Sequence, residues 1–122
     1  MLRITKGGIE MVKESELYDE DYLKASAQIK ELVPEEHKAY DEWKKTVYKE
    51  TTLDRKTKEL IALSAGCALQ CVYCIDTHAQ KAKAFGATKK ELAEVIEIAA
   101  QVKAGATISY GVNALKAVLD KD

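Results

Sequence analysis

The chain has 122 residues, the length of one domain with a modest core, since a domain near this size buries roughly two thirds of the surface its unfolded chain exposes. Hydrophobic residues make up 47% and charged residues 32%, a balance that excludes a wholly disordered chain. Nineteen basic residues stand against twenty acidic ones, for a formal charge of −1, so no global field draws the chain toward nucleic acid or an anionic membrane.

Apolar spacing is helical almost throughout, with Pro34 and six glycines as punctuation. Tyr18, Tyr22, Ala25, Ile29 and Leu32 recur at steps of four and three, which places them on one stripe of a first helix that should stop before Pro34. Pro34 suits the first position of a second helix, where its missing N–H is no loss, and Glu35 and Glu36 favour the positive end of the helix dipole. Tyr40, Trp43 and Val47 are the expected buried face of that helix.

Asp54 is the expected N-cap of a third helix through Leu60, Ile61 and Leu63, with Gly66 loosening the pattern. A further helix runs from about Cys71 to Phe85 and closes at Gly86, the residue best able to take a left-handed conformation. Thr88 with Glu91 forms a capping-box pattern ahead of an inner face of Leu92, Val95, Ile96, Ala99 and Val102. Small residues at Ala99, Ala100, Ala104, Gly105 and Ala106 suit a turn or a subunit contact, and Ile108, Val112, Leu115 and Leu119 make a last stripe. No segment alternates as a strand would, although Arg3 and Ile4 are compatible with extended chain. The reading is a single all-α domain over 1–122, a compact bundle of about five to six helices.

No apolar run approaches the roughly 20 residues that span a bilayer, and Met1 to Lys13 lacks the apolar stretch of a signal peptide, so a cytoplasmic location without membrane partners is expected. Three cysteines in such a chain do not make a disulfide framework and point instead to reactivity or metal. Cys71, Cys74 and His78 are spaced by three and four residues and share a helix face. A Cys-x-x-Cys pair opening a helix has a physical reason to react, because the unpaired N–H groups and the dipole stabilise thiolate. A histidine one turn on can take the proton, and one sulfur attacking its oxidised neighbour closes a disulfide before further oxidation. Cys67, by contrast, reads as a small core residue.

Zinc competes, since Cys and His are its common ligands. On one straight helix, however, Cys67 and His78 sit on the order of 16 Å apart, so a single ion cannot take all of Cys67, Cys71, Cys74 and His78. A thioredoxin-like module is disfavoured because no strand–helix–strand pattern surrounds the cysteines.

Glu59, eleven residues, then Cys71-x-x-Cys74-x-x-x-His78 resembles the signature of the alkylhydroperoxidase D-like proteins within the carboxymuconolactone decarboxylase superfamily, and the run from about Thr52 to Leu119 is similar in helix order to that family's unit. The resemblance implies a helical subunit that assembles into trimers, hexamers or other homo-oligomers. It also implies an antioxidant thiol peroxidase or disulfide reductase that takes a hydroperoxide or disulfide as substrate and an external thiol or dithiol as reductant, with no cofactor. By the same resemblance Cys74 attacks, Cys71 resolves, and Glu59 and His78 relay protons. Without it, Glu59 would read as part of a solvated stretch with Arg55, Lys56 and Lys58.

Tyr73 stands where the best-known peroxidase of the family has a second histidine, so the relay here has one imidazole fewer. The chain matches one unit of the superfamily rather than a duplicated chain, and the decarboxylase that names it lacks the cysteine pair. Tyr73 and Tyr110 read as packing residues, and His37 as a packed or surface histidine. The competing class is a zinc-binding or structural helical interaction module without redox turnover. A lyase that retains the fold is a third reading, in which both thiols are dispensable.

Overall fold

A computed structural model describes residues 2–11 and 20–119. Among these, two short strands precede five helices, in the order β1 (Leu2–Thr5), β2 (Gly8–Met11), α1 (Glu20–Leu32), α2 (Pro34–Tyr48), α3 (Arg55–Leu69), α4 (Val72–Ala84) and α5 (Lys89–Lys116). The chain is all-α apart from the hairpin. It divides into two compact units, Met1–Lys49 and Glu50–Asp122.

In the first unit β1 and β2 pair antiparallel with Ile4 opposite Ile9 and Thr5 opposite Gly8. Four-residue strands are too short to show alternation, which is why only Arg3 and Ile4 read as extended. The available signal was the two-residue turn Lys6-Gly7, followed by Gly8 at φ 126°. α1 ends before Pro34, and Pro34 opens α2 in its first turn, both as the sequence implies. Tyr18 lies outside the described residues. The expected buried face of α2 does not hold within the chain, because α2 has no buried residue and Trp43 is 66% exposed. Helical spacing assigns residues to one face, but α2 packs on α1, and among the described residues Tyr40, Trp43 and Val47 stay exposed.

In the second unit α3 lies in the middle, packed against both α4 and α5. Asp54 caps α3 by accepting the Thr57 N–H at 2.7 Å, which satisfies one of the donors a helix start leaves unpaired. Gly66 is not a break. It is buried within α3, and the helix continues to Leu69. There Gln70 takes the left-handed conformation (φ 55°), the Gln70 N–H donates to the Cys67 carbonyl, and the Cys71 N–H donates to the Gly66 carbonyl at 3.0 Å. These are the paired bonds of a Schellman ending. They reverse the chain and deliver Cys71 to the start of α4. α4 ends in the same way, with Gly86 at φ 96° and the Ala87 N–H bonded back to the Ala82 carbonyl.

Thr88 opens α5 with the complete capping box, its hydroxyl accepting the Glu91 N–H while Glu91 accepts the Thr88 N–H. Lys56 of α3 bonds Glu91 at 3.0 Å, and Lys103 bonds the Ala68 carbonyl near the other end of α3. The two helices therefore run side by side in the same direction. The small-residue cluster makes no turn: α5 is one helix of 28 residues. Its expected inner face is half right. Ala99 is buried with Leu92 and Val95 partly covered, while Ile96 and Val102 are exposed. Residues after Lys103 run on past the end of α3, which leaves Ile108, Tyr110 (82% exposed) and Leu115 in the open.

The capping box carries a testable pH signature. The Thr88 N–H, and then the Lys56 ammonium, hold the Glu91 carboxyl below its usual range, and the Thr57 backbone N–H does the same for Asp54. A depressed folded value means that this stability is fully present above the ordinary carboxylate range, about pH 4 to 5, and is lost as pH falls through the lower folded values. Replacing Thr88 by Ala is expected to cost about 1 kcal/mol in urea unfolding at pH 7, whereas Glu91→Gln, which removes the titrating partner of the Thr88 N–H, is expected to lower the urea midpoint at pH 7 with the gap to the native protein closing in acid.

Candidate functional site

Each chemistry-bearing side chain is placed by a helix end or by the α3–α4 contact. Cys71 is the N-cap of α4, and its sulfur accepts the Cys74 N–H at 3.3 Å. Cys71 and Cys74 are joined as a disulfide with a Cα–Cα distance of 5.2 Å. Cys67 is a free thiol, half-buried on α3. The turn at Gln70 means that Cys67 and His78 are not on one straight helix, so the distance that sequence spacing assigned to them does not apply. Among the described residues no group of three His, Cys, Asp or Glu side chains converges as a metal site requires.

Gly66 explains how the cysteine pair sits so close to α3. A Cβ at this position would lie 3.2 Å from the Cys74 Cβ and 3.5 Å from the Cys74 carbonyl carbon. A side chain here would crowd the Cys74 Cβ and require α4 to give by a few tenths of an ångström.

One turn beyond Cys74 on α4, His78 meets Glu59 of α3, with Nδ1 2.7 Å from Oε2. Glu59 is fully buried, at 0% exposure, on the face of α3 that also carries Leu63 and Gly66. Its other oxygen, Oε1, accepts from the Arg55 guanidinium through Nε at 3.0 Å and Nη2 at 2.9 Å. Arg55 in turn lies over the Phe85 ring, 4.8 Å from its centroid. A buried carboxylate is costly unless both oxygens are paired, and here each has a partner. The Nδ1–Oε2 contact uses one ring nitrogen and leaves Nε2 on the far side of the imidazole from Glu59.

The structure thus brings Cys71 to Cys74 and Glu59 to His78, and it puts Cys74 and His78 one turn apart on the same helix. Sequence reasoning missed Arg55, which looked like one more charge on a solvated face. The available signal was its i, i+4 spacing to Glu59. The solvated reading of Glu59 itself is overturned by its burial. Tyr73 and Tyr110, read as packing residues, are both exposed in the chain.

Comparison with known proteins bears on this arrangement. Residues 34–117, from α2 through α5, match the carboxymuconolactone decarboxylase family. The chain belongs to that family. It is 40% identical over 77 residues to an uncharacterised protein of the cox locus of Paracoccus denitrificans, an alignment that covers 63% of this chain and 68% of that one. A family member from Legionella pneumophila is similar in structure, with a TM-score of 0.66 at 31% identity over 84% of this chain and 91% of that one. A second, from Thermotoga maritima, for which a part in the antioxidative response has been suggested, gives a TM-score of 0.54 at 32% identity over 66% and 84% of the two chains. The match extends the family unit upstream of Thr52 to include α2.

Gly66→Ala provides a direct test of the packing at the cysteine pair. Alanine is the better helix former by about 1 kcal/mol, yet overpacking against the Cys74 Cβ, which would lie 3.2 Å away, costs about 1 to 3 kcal/mol. A net loss is expected, read as a lower urea midpoint.

Proposed function

We propose that this family member is an alkylhydroperoxidase D-like thiol oxidoreductase that cycles between a Cys71/Cys74 dithiol and the disulfide, reducing a hydroperoxide or a disulfide at the expense of an external thiol or dithiol. The observation that carries the reading is the disulfide at the start of α4, one turn from an imidazole anchored on a buried glutamate. The suggested antioxidative part of the Thermotoga maritima relative is in keeping with it.

In the peroxidase form of the cycle, His78 accepts the Cys74 thiol proton through Nε2 and the thiolate attacks the terminal peroxide oxygen. The O–O bond breaks, the alcohol or water leaves with the returned proton, and Cys74 becomes a sulfenic acid. The Cys71 thiolate then displaces hydroxide, which leaves as water, and forms the disulfide. In the reductive half, a donor thiolate attacks the Cys74 sulfur and Cys71 leaves. Cys71 is suited to leave, because its charge falls on the sulfur that accepts the Cys74 N–H at the helix N-terminus. A second donor thiol then releases Cys74 and carries away the oxidised donor disulfide. Both electrons are supplied by sulfur, so the proposed cycle calls on no organic cofactor.

The zinc-binding reading needs both sulfurs as separate thiolates. Their bond to one another favours the redox reading. The uncovered faces at Trp43, Tyr110 and Leu115 support assembly with further copies of the chain, as a trimer or hexamer.

Two measurements check this reading. After reduction, one equivalent of hydrogen peroxide is expected to consume two thiols and leave a Cys71–Cys74 bond in the peptide map, whereas Cys74→Ser abolishes turnover with both peroxide and disulfide substrates. Retention of full turnover in that variant would sink the assignment. In sedimentation at micromolar concentration the protein is expected to run as an oligomer, and a monomer would remove that part of the proposal.

A further inference from the structure

The carboxylate that anchors His78 has two partners, and the second has no part in the relay described so far. Arg55 places Nε and Nη2 on the Oε1 atom of Glu59, leaving Oε2 for His78. Its guanidinium rests on Phe85 at the end of α4. The helix that supplies the histidine therefore also supplies the shelf that holds the arginine. We propose that Arg55 is a positioning residue for this site: its charge balances the buried Glu59 carboxylate so that His78 keeps a neutral ring, with its proton on Nδ1 and its lone pair on Nε2.

Charge must balance where exposure is low. Glu59 is fully buried, and the His78 side chain is 17% exposed. A lone carboxylate in such surroundings is most readily neutralised when the neighbouring imidazole takes a second proton, and a doubly protonated ring has no lone pair to offer a thiol. With Arg55 present the carboxylate is already neutralised, and a further proton would leave an excess positive charge between α3 and α4. Among the described residues, the charged and titratable groups bonded to Glu59 are Arg55 from its own helix and His78 from α4. The guanidinium fork also fixes the carboxylate in orientation, which a point charge does less well.

The consequence for turnover rests on the thiol-oxidoreductase reading, whereas the state of the ring does not. The test is a long-range ring-nitrogen NMR spectrum of the full chain, labelled with 15N at its two histidines and recorded at pH 7. His37, which pairs with Asp41 at 3.2 Å, serves as internal reference. The native protein is expected to show His78 as the neutral Nδ1–H form. Arg55→Gln removes the charge at similar length and is expected to convert His78 to the doubly protonated form with His37 unchanged, while Arg55→Lys keeps it neutral. In a Glu59→Gln background, Arg55→Gln is expected to leave the His78 ring unaltered, since the carboxylate it balances is gone.

Peroxide-driven formation of the Cys71–Cys74 bond is expected to fall about tenfold in Arg55→Gln and to recover to within about threefold in Arg55→Lys. A neutral His78 ring in folded Arg55→Gln overturns the proposal. Should that variant fail to fold, a doubly protonated His78 ring in Arg55→Lys, where the charge remains, overturns it equally. A ring that responds as expected in a protein whose thiols ignore peroxide upholds the role of Arg55 and removes the oxidoreductase reading instead.

Discussion

Glu59 is the constraint around which the second unit is organised. A carboxylate with no exposed surface must have its charge matched and its oxygens bonded, and it draws one partner from its own helix and one from the next. The Glu59–His78 bond ties α3 to α4 at a defined rotation, because only one face of each helix reaches the other there. The same rotation sets Gly66 beneath Cys74, where the absent side chain permits the close approach. Apolar burial here is limited to a few residues, among them Leu63, Ala82 and Ala99, so polar pairing has a large share in fixing the geometry.

The turn between α3 and α4 connects this packing to chemistry. Gln70 in a left-handed conformation is an uncommon use of a residue with a side chain, and the two backbone bonds around it show what the conformation achieves. It ends one helix and begins the next within two residues, which makes Cys71 an N-cap rather than a mid-helix residue. Its sulfur thereby gains a backbone N–H donor and the positive end of a helix dipole. The two sulfurs of the motif are consequently not equivalent. One faces the helix start, and the other lies one turn from the imidazole.

The first unit and the end of α5 pose a different physical situation. Both carry large apolar side chains at helical spacing that are exposed, Trp43 on α2 and Leu115 on α5 among them. A sequence written for a buried face and a structure that leaves it open are reconciled if another molecule supplies the cover. In the proposed assembly, further copies of the chain supply it.

The sequence by itself determined the helices and their ends, because these depend on local chemistry: Pro34 in a first turn, Asp54 and Thr88 as caps, Gly86 as a left-handed stop. It also placed Cys74 and His78 one turn apart on one helix, with Cys71 at its start, since spacing alone fixes that. It could not show that Gly66 is a contact rather than a break, that α5 passes unbroken through its small residues, or that Tyr40 and Trp43 lie open. Those outcomes depend on which helix lies opposite, and spacing says nothing of the partner. Arg55 and Glu59 make the point most directly. Read as a string they belong to a charged surface stretch, and only the placement of α4 against α3 turns one into a buried anchor and the other into its counter-charge.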